Sequence, residues 1–275
     1  MDWWQALLLG IVQGLTEFLP VSSSGHLMLF RELLGADPEG FLDFTVAVHF
    51  ATVLSTVVVF WSAIWKILRG LLKFRYNDET DYACKLIVSM VPIAIVGLAL
   101  KDQVEALFGD DLTTVAMCLL ATAFLLFLSD NFSIFAKTRQ NAVSSHRNGI
   151  SYWQALAVGI GQSFAVAPGL SRSGTTIATG LICGVRREVM AQFSFLMVLV
   201  PIVGEQLLDL LDMASGEAAA GAGVGTMALV IGALAAFFSG LFACKAMVAI
   251  VRKAKLVWFA IYCAVVALAI LIFLT

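Results

Sequence analysis

The chain has 275 residues, of which 60% are hydrophobic and only 13% charged, against roughly 25% charged in soluble domains. Its formal net charge of -2 leaves no basic surplus for holding nucleic acid, and the composition excludes an ordinary water-soluble domain. An all-α integral membrane protein is predicted.

Residues 1–42 come first in the chain. The start Met1-Asp2-Trp3-Trp4 has no basic n-region and no small-residue cleavage site after it, so the N-terminus is expected to be retained. The apolar stretch that follows is broken at Leu19-Pro20-Val21, where proline ends one helix and leaves serine to cap the next. Gln13 and Glu17, four apart, share a face of the first half-helix; Ser23 and His26, three apart, share one of the second. The hydroxyls of Ser22, Ser23 and Ser24, free backbone N–H groups and the positive end of a helix dipole make an anion site.

Six apolar runs of about 20 residues, the length a hydrocarbon core of roughly 30 Å demands, lie near 43–65, 81–101, 112–135, 188–212, 226–250 and 256–275. His49, in the first run, reads as a packed or hydrogen-bonded histidine, and His146 as a solvated loop residue. Between the third and fourth runs a second break, Ala167-Pro168-Gly169-Leu170, leads into Ser171-Arg172-Ser173-Gly174-Thr175-Thr176. A charge near the bilayer centre costs about 2.5–3.5 kcal/mol even on mild insertion scales, so Arg172 needs a partner. Phosphate suits its planar fork; a structural ion pair with Glu17 is the plainer reading. In the fourth run Glu205 and Asp209 mark either a wet vestibule or the approach to the surface. Trp3, Trp4, Trp153 and Trp258, at the ends of apolar runs, suit the headgroup zone. Cys84, Cys118, Cys183, Cys244 and Cys263 stand at no metal-ligand spacing and read as packed thiols.

Basic residues collect in alternate segments: Lys66, Arg69, Lys73, Arg75 and Lys85; then Lys137, Arg139 and Arg147; then Arg186 and Arg187; then Arg252, Lys253 and Lys255. These are expected on the cytoplasmic side. Asp102, Glu105, Asp110 and Asp111, and likewise Asp209, Asp212 and Glu217, are expected outside, with Lys101 the one base among them. Threading six spans through that pattern leaves residues 1–42 dipping in from the outer face and residues 150–187 from the inner face, as two re-entrant hairpins.

An internal repeat supports this division. Trp4-Gln5-Ala6-Leu7, Gly10-Ile11 and Gln13 recur as Trp153-Gln154-Ala155-Leu156, Gly159-Ile160 and Gln162, and Ser22-Ser23-Ser24-Gly25 matches Ser171-Arg172-Ser173-Gly174 at the same offset of 149. One membrane domain, 1–275, is expected, made of two inverted halves, 1–135 and 136–275. Inverted repeats with broken helices place the functional site near the midplane, where the breaks meet.

At these residues the chain resembles the bacterial undecaprenyl-diphosphate phosphatase, or bacitracin-resistance, family. The likeness rests on Gln13-x-x-x-Glu17, Pro20-Val21-Ser22-Ser23-Ser24-Gly25-His26 and Pro168-Gly169-Leu170-Ser171-Arg172-Ser173-Gly174, and it covers essentially the whole chain. It implies a multi-pass protein of the bacterial plasma (inner) membrane whose site opens to the periplasmic side. It further implies hydrolysis of undecaprenyl diphosphate to the monophosphate and inorganic phosphate, which recycles the carrier for cell-wall polymers. A divalent cation, Mg2+ or Ca2+, is implied by the family; with Gln13 in place of a second acid, Glu17 is the one carboxylate of this motif that could touch it.

Chemistry then suggests roles for Glu17, Ser23, His26 and Arg172 as the catalytic set. Ser23 or His26 is the nucleophile, with the other as acid or base, Glu17 orients that pair, and Arg172 clamps the phosphates. Gln13, Ser22, Ser24, Ser171, Ser173 and Thr176 would bind the substrate. The other reading is a lipid-phosphate flippase or secondary transporter, which shares inverted repeats and a midplane anion site but has no need of a nucleophile beside a base. Besides lipid, a second copy of the chain is an open partner, since the small-residue face from Gly232 to Gly240 could pack within the bundle or across a homodimer.

Overall fold

The computed structural model describes residues 1–36, 40–99, 111–143, 146–167, 169–215, 224–253 and 255–274. Lys101, Asp102, Glu105, Asp110, Pro168 and Glu217 lie outside the described residues, as do the side chains of Lys137, Arg139, Glu205, Asp209, Asp212, Arg252 and Lys253.

Among the described residues every regular element is helical: α1 (Trp3–Phe18), α2 (Ser23–Leu34), α3 (Phe41–Leu71), α4 (Asp78–Ala99), α5 (Leu112–Val143), a 3-10 turn at Arg147–Gly149, α6 (Tyr152–Phe164), α7 (Arg172–Ile182), α8 (Arg187–Ser215), α9 (Thr226–Lys253) and α10 (Val257–Phe273). α3, α4, α5, α8 and α9 are each long and apolar enough to cross a membrane, and α10 adds an apolar helix of 17 residues. At about 1.5 Å per residue, α1, α2, α6 and α7, with 16, 12, 13 and 11 residues, fall short of the roughly 30 Å of a hydrocarbon core. α3 and α5 run past the expected ends at 65 and 135 to Leu71 and Val143. The charges there end the apolar run without ending the helix, because lysine and arginine are good helix formers.

The two short hairpins, α1–α2 and α6–α7, are closed by the same bonds 149 residues apart. Gln5 Oε1 accepts from the Asp2 N–H at 2.8 Å while its Nε2 donates to Leu34 O at 3.1 Å. Gln154 does likewise with the Ser151 N–H, at 2.9 Å, and with Cys183 O, at 3.0 Å. One glutamine thus satisfies orphan groups at both free ends of its hairpin. After each second helix a glycine with positive φ, Gly35 at 58° and Gly184 at 84°, turns the chain. The residue after it donates back into the helix, Ala36 to Arg31 O and Val185 to Gly180 O.

Each hairpin leans on a long helix distant in sequence: α1 lies along α9, and α6 along α4. The approach is so close that a Cβ on Gly10 would stand 2.3 Å from Gly232 O, and one on Gly159 would stand 2.2 Å from Ser89 O. α5 packs on α10, α3 on α9 and α4 on α8. Phe44 of α3 and Phe193 of α8, again 149 apart, are fully buried. Facing outward are Phe124, Phe127, Phe238, Phe242 and Val265, an apolar exterior matched to lipid. Trp3, Trp153 and Trp258 are also exposed, and all five cysteines are free.

Candidate active site

Both hairpins are interrupted where their short helices meet. Leu19, held extended (φ -73°, ψ 145°) ahead of Pro20, ends α1, and Ser22 Oγ accepts from the Gly25 N–H to begin α2. Ser171 Oγ accepts from the Gly174 N–H and begins α7 in the same way. The two interruptions interlock: Ser173 Oγ donates to Leu19 O at 3.2 Å, and Ser24 Oγ accepts from the Gly169 N–H at 3.4 Å. From outside the hairpins, Thr122 of α5 accepts from the Ser171 N–H and Cys263 of α10 donates to Pro20 O. Backbone freed by the breaks is thus paired within protein, which is what lipid requires.

Glu17, in the last turn of α1, is the hub between the breaks. Its Oε1 accepts from Arg172 Nη2 at 3.0 Å; its Oε2 accepts from Ser23 Oγ at 2.5 Å and from Gln13 Nε2 at 2.9 Å. The expected i, i+4 face of Gln13 and Glu17 is therefore present, and Ser23 and Arg172 meet on one carboxylate. His49 Nε2 stands 3.7 Å from Glu17 Oε2, while its Nδ1 is 2.9 Å from Thr45 O. A carbonyl only accepts, so Nδ1 carries the proton there and Nε2 is the nitrogen turned to Glu17.

The expected pairing of Ser23 with His26 is not the one the side chains make. His26 Nδ1 is 2.7 Å from Ser22 O, its Nε2 is 2.8 Å from Tyr262 Oη, and the residue is buried. Three-residue spacing puts two Cβ atoms on one helix face, but the ring folds back onto the carbonyl four residues before it. That carbonyl belongs to Ser22, whose φ of 69° and ψ of 102° are outside the regions open to serine without strain. Such a conformation costs about 1–3 kcal/mol and persists only where its surroundings hold it.

The remaining predicted site residues are knitted into the breaks. Ser22 and Ser171 are caps, and each hydroxyl lies near the serine two residues on, Ser24 at 3.4 Å and Ser173 at 3.3 Å. Thr176 Oγ1 donates toward Arg172 O and Ser173 O and lies 2.6 Å from Ser194 Oγ of α8. Beside Glu17 and Arg172 a recess of ≈ 40 Å³ opens between α3 and α8, more than the roughly 10–15 Å³ one water needs. Its polar wall is Glu17, Arg172, Ser173, Thr52, Thr56 and Ser194, and its apolar wall is Phe18, Val53, Phe195, Val198, Leu199 and Ile202. For a divalent cation the donor set is thin. Among the described residues no three His, Cys, Asp or Glu side chains converge, and both Glu17 oxygens are already engaged, so these residues do not fit a cation held by the protein itself.

Sequence reasoning did not single out Thr52, Thr56, Ser194 and Tyr262; it read His49 as a packed or hydrogen-bonded histidine, which the bond to Thr45 O bears out, without placing it beside Glu17. His49, Thr52 and Thr56 follow helical spacing along one face of α3, a polar stripe in an apolar run that marks a face turned to protein or water. Tyr262 gives no such signal.

The family model for bacitracin resistance protein BacA matches residues 6–269. An undecaprenyl-diphosphatase from Bacteroides fragilis (strain ATCC 25285) is 53% identical over 266 residues, covering 97% of this chain and 96% of its own length. One from Parabacteroides distasonis is 52% identical over 268 residues, with 98% and 97% covered, and one from Halothermothrix orenii is 37% identical over 272 residues, with 99% and 98% covered.

Proposed function

The chain belongs to the bacitracin resistance protein BacA family, and from that membership we propose that it is an undecaprenyl-diphosphatase of the membrane. It hydrolyses undecaprenyl diphosphate to undecaprenyl phosphate and inorganic phosphate. The monophosphate returns as carrier for cell-wall polymers, and the activity confers resistance to bacitracin.

One observation carries the chemistry: the 2.5 Å bond from Ser23 Oγ to Glu17 Oε2, on a carboxylate that also holds Arg172. A serine hydroxyl is a weak nucleophile until a base takes its proton, and this carboxylate is within reach. Ser23 Oγ attacks the terminal phosphorus while Glu17 accepts its proton. The bond from phosphorus to the bridging oxygen breaks, and undecaprenyl phosphate leaves with that electron pair. Arg172 has donors beyond the one given to Glu17, and these steady the charge on the phosphoryl oxygens. Water then adds to phosphorus, the bond to Ser23 Oγ breaks, and the serine recovers a proton from Glu17. The water's surplus proton leaves with the inorganic phosphate. The apolar wall of the recess receives the first isoprene units.

In this reading α3, α4, α5, α8, α9 and α10 cross the membrane, and the hairpins α1–α2 and α6–α7 enter from opposite faces as an inverted repeat of halves 1–135 and 136–275. The shortness of the hairpin helices and their shared bonds at an offset of 149 support it. The basic residues at the end of α3 and the start of α8 support a cytoplasmic position for that edge, and in this reading the site opens to the outer side.

Purified protein supplied with the lipid diphosphate is expected to release inorganic phosphate, and Ser23→Ala to slow release by about 10³-fold or more while still binding lipid. A carrier would move the lipid without cleaving it. No release by the unaltered protein, or undiminished release by Ser23→Ala, would overturn the reading.

A further inference from the structure

Ser22 and Ser171 cap their helices alike but hold different backbones: φ 69° and ψ 102° at Ser22, φ -70° and ψ 116° at Ser171. The Ser22 carbonyl is part of the peptide unit that delivers Ser23. Four residues on, the halves carry different side chains. The His26 ring reaches Ser22 O at 2.7 Å, closer than the helical N–H of His26 to the same oxygen at 3.2 Å. Its counterpart Thr175 gives Ser171 O only the helical N–H, at 2.8 Å, and its buried hydroxyl has no hydrogen-bond partner. The side-chain bond is present at the strained cap and missing at the relaxed one.

That bond needs the proton on Nδ1, and a neutral imidazole has one proton for two nitrogens. Ser22 O only accepts, so the bond itself puts the proton on Nδ1, and Tyr262 of α10 holds that tautomer from the other nitrogen. Its hydroxyl lies 2.8 Å from Nε2, and its ring stacks on the imidazole with centroids 5.6 Å apart and planes at 9°. A hydroxyl donating to Nε2 leaves the proton on Nδ1. We infer that Tyr262 is a positioning residue: through the tautomer of His26 it locks the strained Ser22–Ser23 peptide and so aims Ser23 Oγ at Glu17. His26 is a backbone clamp here and takes no proton from Ser23. The inference rests on the phosphatase reading above.

Side-chain geometry supplies the test, read as kcat and KM for phosphate release by the full chain. The amide nitrogen of asparagine falls where Nδ1 of histidine lies, whereas that of glutamine falls where Nε2 lies. His26→Asn therefore keeps a donor to Ser22 O and is expected within about tenfold of the unaltered kcat; His26→Gln and His26→Ala lose about 100-fold, with KM nearly constant. Tyr262→Phe keeps the stacked ring without the hydroxyl, so kcat falls about tenfold, and the same change adds nothing in the His26→Asn background. Equal losses in His26→Asn, His26→Gln and His26→Ala would overturn the inference, as would a full Tyr262→Phe effect persisting beside His26→Asn. Failure of the unaltered protein to release phosphate would strike the phosphatase reading instead.

Discussion

The break between α1 and α2 and the break between α6 and α7 share their caps, their serine pairs and their place in a glutamine-closed hairpin. Among the positions where they part company, 149 residues apart, are Glu17 against Val166, Ser23 against Arg172, and His26 against Thr175. What is alike in them holds backbone together inside lipid, where unpaired polar groups cost several kcal/mol each. What differs makes chemistry, since one break carries an acid and a hydroxyl on a strained backbone and the other a cation on a relaxed one. In the proposed reading, a single scaffold used twice supplies both sides of one anion site.

Making the breaks alike removes that division. Arg172→Ser gives the second break the residue of the first and leaves Glu17 Oε1 without its cation; kcat/KM for phosphate release is expected to fall about 10³-fold. Sameness of the hairpins makes its own prediction at the helix crossings. Gly10→Ala and Gly159→Ala each drive a Cβ into a backbone oxygen, and each should lower unfolding stability in detergent by about 1–3 kcal/mol. Widely unequal costs would weaken the equivalence of the two crossings. Next come the caps, where the sign should differ. Ser22→Gly relieves a positive φ and should raise stability by about 1 kcal/mol, whereas Ser171→Gly relieves nothing and should lower it by about 0.5 kcal/mol. The smallest effect falls on the paired glutamines. Gln13 donates to Glu17, and Gln162 faces no acid four residues on, so Gln13→Met should slow turnover about fivefold and Gln162→Met leave it unchanged.

Much of this was legible in the sequence because it depends on spacing. Proline followed by a capping serine locates both breaks, the offset of 149 relates them, and a lone arginine in an apolar stretch calls for a partner, phosphate or Glu17. Side-chain direction was not legible. Ser23 and His26 share a face by spacing, yet one hydroxyl points to Glu17 while the imidazole folds back onto Ser22 O, and its outer partner Tyr262 lies 236 residues away. His49 was hidden for a similar reason. Its bond to Thr45 O is the ordinary way for a helix to satisfy a histidine, and its second nitrogen meets Glu17 only once α3 is packed beside α1. Thr52 and Thr56 return their hydroxyls to their own helix, so their spacing marks a polar face of α3 but not the recess that this face lines.

The most direct measurement is to quench turnover of lipid diphosphate carrying a labelled terminal phosphate and locate any phosphoryl group left on the protein. Arg172→Lys, which keeps the charge and loses the fork, is a useful slow variant for this purpose. Label on Ser23, stable to acid, is the predicted result. Label on His26 would contradict the account, because one nitrogen of that ring is bonded to Ser22 O and the other to the Tyr262 hydroxyl.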